Sequence, residues 1–179
     1  VLGVGYADRR KGIDLFVEAG LKMAQRVPHA RWVWIGHWEE TMSREVGEKL
    51  SEFPEKKDRF IFPGLQSDTD LFYGGADVFA LTSREDPFPS VVLEALDAEV
   101  PVVGFEGAGG FIGLLKEGCG QLVAKEDAAA FADAISHILT TSHEREMLGL
   151  HGAKVINERF SFRHYVYDLL DLVGIEMKR

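Results

Sequence analysis

The chain has 179 residues, 46% of them hydrophobic, with 20 Lys and Arg against 29 Asp and Glu. That is the size and apolar content of one ordinary globular domain with a sizeable core, and it excludes a disordered or collagen-like chain. The net charge of −9 disfavours a broad nucleic-acid or anionic-membrane footprint, which needs a basic surface, while leaving a local basic site open.

In chain order, the patterning predicts a strand over Val1–Tyr6 and then an amphipathic helix whose apolar face is Ile13, Phe16, Val17, Gly20, Met23, Ala24 and Val27, ending before Pro28. A strand over Arg31–Ile35 and a helix over Glu40–Phe53 follow, with Pro54 to Asp58 read as a charged loop. Next come a strand over Arg59–Phe62, a helix over Asp70–Gly75 with Ser67 and Asp68 as caps, and a strand over Val78–Leu81. The series continues with a helix over Ser90–Ala98, a strand over Val100–Phe105, a helix over Phe111–Glu117, a strand over Gln121–Val123 and a helix over Asp127–Thr140. The alternation then stops. Thr141 with Glu144 resembles a capping box and Ser161 can cap a last helix, so two terminal helices close the chain. Strands apolar throughout, alternating with helices, predict an α/β fold: a doubly wound parallel sheet of about six strands with helices on both faces, in one domain.

The single cysteine, Cys119, excludes an internal disulfide and suits a reducing compartment. No run approaches the roughly 20 apolar residues of a membrane span. The chain opens on Val1, directly in a strand-like run, which suggests a piece of something longer.

In an open parallel sheet, ligands bind at the carboxyl ends of the strands, so the strand-to-helix loops matter most. The first begins Gly3-Val4-Gly5 like a dinucleotide fingerprint, but Asp8 takes the third glycine position, where it would obstruct close packing and repel a pyrophosphate. A nicotinamide site is thereby disfavoured. The loop continues Arg9-Arg10-Lys11-Gly12 directly ahead of a helix, which suits a diphosphate or, equally on these residues alone, a solvated basic turn. The second constellation is Ser83 to Ala95, a polar, proline-bearing loop running into a helix. Asp86 precedes that helix and Glu94 lies about one turn beyond Ser90, so the two can face one crevice and accept hydrogen bonds from ribose or hexose hydroxyls. The alternative is an exposed helix residue and a cap.

Taken together, Lys11-Gly12, Gly36 after a strand, Asp77 to Ser83, Asp86-Pro87-Phe88, Glu94-Ala95 and Pro101-Val102-Val103 resemble the C-terminal half of group 1 retaining glycosyltransferases, which have the two-domain GT-B fold. The resemblance runs from Val1 to about Phe160. It implies a Rossmann-like domain that binds a nucleoside diphosphate sugar, UDP- or GDP-linked, with no separate cofactor. It also implies a missing N-terminal domain for a glycan or lipid-linked acceptor, a cytoplasmic location, and any membrane contact made outside this domain.

By the same resemblance, Lys11 neutralises the donor diphosphate with Arg10 beside it, Glu94 bonds the ribose, and Asp86 sits at the acid that touches the transferred sugar. Phe88 and Ser90 fall where backbone amides approach sugar and phosphates, while Gly12, Gly36 and Gly110 allow loops to lie close to the donor. The sequence departs from the pattern at Tyr6 (for an arginine), Asp86 (for Glu), Pro89 (for a glycine, removing an N–H) and Glu99 (for a glycine). Other readings are a regulatory module that keeps the nucleotide without transfer, and a nicotinamide-dependent oxidoreductase.

No metal is expected: Asp68-Thr69-Asp70 reads as a helix start, and no histidine has ligand spacing. Phe160, Phe162, Tyr165 and Tyr167, with Val166, Leu169 and Val173, trace an apolar helix face that needs a packing partner.

Overall fold

Among the described residues, six short strands pair in parallel in the order β3-β2-β1-β4-β5-β6. They are β1 (Leu2–Val4), β2 (Trp32–Ile35), β3 (Phe60–Gly64), β4 (Phe79–Leu81), β5 (Val102–Phe105) and β6 (Gly120–Val123). The computed structural model describes residues 1–160 and 162–174.

The chain moves outward from β1 to β3, returns across the sheet to β4 and then moves outward again to β6. Right-handed crossovers therefore put α1 (Ile13–Met23) and α2 (Glu40–Ser51) on one face, and α4 (Asp70–Gly74), α5 (Ser90–Asp97) and α6 (Ile112–Leu114) on the other. α7 (Ala128–Thr140) packs on α1, and α8 (Ser142–Arg159) packs on α5; α9 spans Phe162–Leu172. The fold class is the predicted one, a doubly wound Rossmann-like α/β sheet.

β4 and β5 are buried at every position, as central parallel strands must be when both faces are covered. The largest aromatic cluster lies under α1. Phe16 meets Trp32 and Trp34 edge-on, with ring centroids 4.9 and 5.1 Å apart. Burying Phe16 alone contributes about 2–3 kcal/mol. Further along the sheet, Phe105 of β5 packs against Phe131 of α7 at 4.9 Å.

Local readings are corrected at five places. The first helix stops at Met23 rather than before Pro28, because Arg59 Nη1 takes the Ala24 carbonyl at 2.7 Å and the apolar periodicity runs on through turns. Pro54 starts a short helix, α3 (Pro54–Lys57), instead of a loop, since proline at the first helical position has its φ preset and needs no N–H partner. Thr69, not Ser67 or Asp68, is the N-cap of α4, and it makes no side-chain cap bond. Thr141 is the N-cap of α8 but also lacks a side-chain cap bond, and Glu144, the other half of the predicted capping box, pairs instead with His137 Nε2 at 2.7 Å. The helix predicted to Glu117 gives way after Leu114 to a π-turn over Leu115–Cys119, where Gly118 adopts φ 91°. By contrast, Asp127 caps α7 through the amides of Ala129 and Ala130, both at 2.9 Å. Ser161 lies outside the described residues.

Candidate functional site

The strand order reverses between β1 and β4, and the loops leaving these two neighbours meet at the carboxyl edge of the sheet. The pairing continues past the strands. Gly5 donates to Ile35 O at 2.9 Å, Ala7 to His37 O at 2.7 Å and Asp86 to Ala108 O at 2.7 Å, so the loops after β1, β2, β4 and β5 are knit by main-chain bonds. A cleft of about 520 Å³ opens here, lined by Arg10, Glu85, Asp86, Pro87, Gly107, Ala108 and Gly109.

Lys11 and Asp86 are brought together. Lys11 Nζ donates to Asp86 Oδ2 at 2.5 Å, and the two side chains are only 16% and 9% exposed. The basic run is thus not a uniformly solvated turn: Arg9 and Arg10 are exposed, whereas Lys11 turns inward. Arg10 Nη1 donates to Glu85 O at 3.2 Å on the wall of the same cleft. Asp8 has a positive role that its reading as an obstruction missed: its carboxylate accepts the Lys11 amide at 2.6 Å and closes the loop.

Gly12 is the N-cap of α1 at φ 75°, and a Cβ there would overlap the Thr82 carbonyl oxygen. That left-handed, close-packed position explains the glycine by contact with β4, before any ligand is considered. Thr82 Oγ1 also donates to Lys11 O at 3.2 Å. Gly36 lies against Gly5 O, and Gly110, whose amide bonds Pro87 O at 2.9 Å, packs on Phe88. All three glycines therefore have packing reasons within the chain.

α5 begins at Ser90 with Pro89 as its N-cap, as the two-acid reading required. Among the described residues the amides of Ser90 and Val91 have no acceptor, so the start of α5 carries unpaired N–H groups toward this edge. Phe88 is 45% exposed and stacks on Phe160 with centroids 6.0 Å apart. Asp86 and Glu94 take different partners. Glu94, itself exposed, accepts the hydroxyl of buried Tyr73 at 2.9 Å and is not among the residues lining the Asp86 cleft. Burial, then the Glu94 charge and hydrogen bond, push the Tyr73 hydroxyl far above its ordinary pKa. Tyr6 is 49% exposed.

Two residues escaped the sequence reading. Tyr73 gave no signal beyond an apolar helix position. Arg84 stood within the quoted motif, but its role depends on partners that the fold brings together: it forms a bidentate pair with Asp14 at 2.8 and 2.7 Å. Burial pulls the Asp14 carboxyl up, yet hydrogen bonds and charge from Arg84, with the charge of Arg9, outweigh it and hold Asp14 below its usual range.

No group of three or more His, Cys, Asp or Glu able to hold a metal occurs among the described residues. Cys119 is buried, and that burial, with the nearby Glu117 charge, raises its thiol pKa. His137, His143 and His151 are exposed on helices. Phe160, Tyr165, Leu169 and Val173 remain exposed, so the apolar face of the last helix is not packed wholly within this domain. No helix is long and apolar enough to cross a membrane among the described residues.

A doubly wound parallel sheet with a lysine–carboxylate pair at its switch point defines the class as a Rossmann-like α/β domain. Residues 1–155 match the family of glycosyl transferases group 1, and the chain belongs to that family. Among curated relatives, the lipopolysaccharide core biosynthesis glycosyltransferase LpsE of Rhizobium meliloti is 30% identical over 161 residues, 90% of this chain and 45% of LpsE. The alpha-galactosylglucosyldiacylglycerol synthase of Streptococcus pneumoniae is 33% identical over 108 residues, 58% of this chain and 27% of the synthase. The chain spans less than half the length of each. Among solved structures, Anabaena HepE in complex with UDP shares the fold with a TM-score of 0.85 at 21% identity, covering 97% of this chain and 48% of HepE. HepE has also been solved with UDP-glucose.

Proposed function

We propose that this chain is the donor-binding domain of a retaining glycosyltransferase that moves a hexosyl group from a nucleoside diphosphate sugar to a hydroxyl acceptor. The whole chain forms one such domain, the C-terminal half of a two-domain GT-B enzyme whose N-terminal half receives a glycan or lipid-linked acceptor. The observation that carries this reading is the inward-turned Lys11, held at Asp86 beside the open cleft and the unpaired amides of α5.

In a retaining transfer, positive charge builds on the anomeric carbon while negative charge grows on the departing diphosphate. Lys11, Arg10 and the α5 amides stabilise that leaving group electrostatically, in a cleft where the field is screened less than in water. The chain's residues supply this charge without a metal. Glu94, oriented by Tyr73, accepts the ribose hydroxyls, and Asp86 accepts hydroxyls of the transferred sugar. The binding of UDP and UDP-glucose by HepE supports a diphosphate-linked donor. Alone, the domain binds donor but turns over poorly, because the acceptor surface lies in the other half. The full-length enzyme works in the cytoplasm, and any membrane contact is made outside this domain.

A thermal-shift series with UDP, GDP, ADP and NAD tests the reading. At a hundredfold excess over Kd the right nucleotide stabilises the fold by about 2.7 kcal/mol. A rise with one nucleoside diphosphate and none with NAD is expected; a rise with NAD alone overturns the proposal. Glu94→Ala should weaken binding of that nucleotide, since the ribose loses its acceptor, and unchanged affinity would remove Glu94 from the site.

A further inference from the structure

Arg84 has no part in the steps above, yet it makes more directed contacts at this edge than any of the assigned cations. It follows β4 by three residues, and its side chain is 15% exposed. Its amide donates to Arg10 O at 2.8 Å. Its Nη1 donates to Arg9 O at 2.6 Å and to Asp14 Oδ1 at 2.8 Å, Nη2 donates to Asp14 Oδ2 at 2.7 Å, and Nε donates to Glu126 Oε2 at 2.8 Å. One guanidinium therefore joins the loop after β1, its own loop after β4 and the loop after β6.

This arrangement needs the planar fork of arginine; a lysine ammonium has no fixed pair of parallel N–H groups for Asp14 and no third edge for Glu126. A second observation points the same way. Glu126 sits at φ 58°, a left-handed backbone position that side chains rarely adopt, and from there its carboxylate meets Arg84. The guanidinium holds the carbonyl of Arg9 and the main-chain amide of Arg84 holds that of Arg10, the residues directly before Lys11.

We infer that Arg84 is a positioning residue for diphosphate binding: by tying the Arg9 carbonyl to Asp14 and Glu126 through its guanidinium, it fixes where Lys11 leaves its loop and where its ammonium group stands. The inference rests on the donor-site reading. It makes a specific demand, that Arg84 affect the phosphates of a ligand rather than its nucleoside.

The test is calorimetric titration of the chain with UDP, GDP and ADP and with the matching monophosphates, on the unsubstituted protein and on Arg84→Gln, Arg84→Lys and Glu126→Ala, with melting temperatures recorded for each. In Arg84→Gln the preference for diphosphate over monophosphate should fall about tenfold, the size of one lost charge-assisted hydrogen bond. Arg84→Lys should not restore it, and Glu126→Ala, which leaves the Asp14 fork intact, should lose less. A merely structural role would lower the melting temperature and all affinities together with their ratio unchanged, and that result overturns the inference. If Arg84→Gln does not fold, Glu126→Ala decides on the same criterion. If the unsubstituted chain binds no diphosphate, the donor-site reading falls and the inference falls with it. If it binds with a clear diphosphate preference that the variants keep, only the role of Arg84 is refuted.

Discussion

Replacing Asp86 by Asn should move stability and nucleotide affinity in opposite directions. Lys11 Nζ and Asp86 Oδ2 stand 2.5 Å apart with side chains 16% and 9% exposed. At an effective dielectric of about 20 their attraction is about 7 kcal/mol, most of it offset by the cost of withdrawing both charges from water. Removing one partner of a fully buried pair costs about 3–5 kcal/mol; Lys11 keeps some access to water, so about 2 kcal/mol is expected here. Urea unfolding read at constant slope measures that loss as a lower midpoint. Affinity for UDP, GDP or ADP should rise, by about threefold to tenfold, because the diphosphate no longer displaces a carboxylate to reach the ammonium group. A fall in both quantities would refute the reasoning: Asp86 would then be holding Lys11 in place for the ligand rather than competing with it.

Tyr73→Phe removes the hydroxyl that Glu94 accepts at 2.9 Å; since Glu94 is exposed and rehydrates, a loss of about 1 kcal/mol is expected by denaturant titration. Glu99 stands at φ 60°, so Glu99→Gly should raise the thermal midpoint, by about 0.5–1 kcal/mol of stability, and a lower midpoint would mean that its side chain makes a compensating contact. The Asp14 carboxyl is held below its usual range, so its pairing with Arg84 stabilises the fold above the unfolded-state pKa and is lost as pH falls through the lower folded-state value. Asp14→Asn should therefore flatten the acid limb of the stability curve below about pH 4, and an acid limb unchanged in slope would contradict the assigned shift.

The sheet was legible because its central strands are apolar on both faces, and the intervening helices kept their period. The order of strands in space was not written in those patterns, and neither was the Arg84 fork, whose partners Asp14 and Glu126 lie 70 and 42 residues away in sequence. Local rules failed where tertiary contacts supplied a better partner. Glu144 left its capping box for His137, and Arg59 ended α1 by taking the Ala24 carbonyl. Glu99, noted as a replacement for a family glycine, does adopt the glycine-like φ of 60°, so that departure carries backbone strain as well as a change of side chain. That Lys11 and Asp86 serve one site came only from the family resemblance, and their direct pairing came only with the fold. The apolar period of the chain says which segments are buried, not which loop ends meet.

Lys11 and Asp86 are 75 residues apart, and the excursion between them contains the whole of β2, β3 and their helices. A segment ending before β4 lacks Asp86, and one starting after α1 lacks Lys11 and Arg10, so neither closes the cleft. A ligand gripping both loops therefore reports on the pairing of the two central strands: its binding free energy is added to the closure of that long excursion. β3 and β6 are the edges of the sheet, away from that pair. In such a sheet, saturating ligand should protect the amides of β1 and β4 from hydrogen exchange first, and leave the margins to open nearly as before.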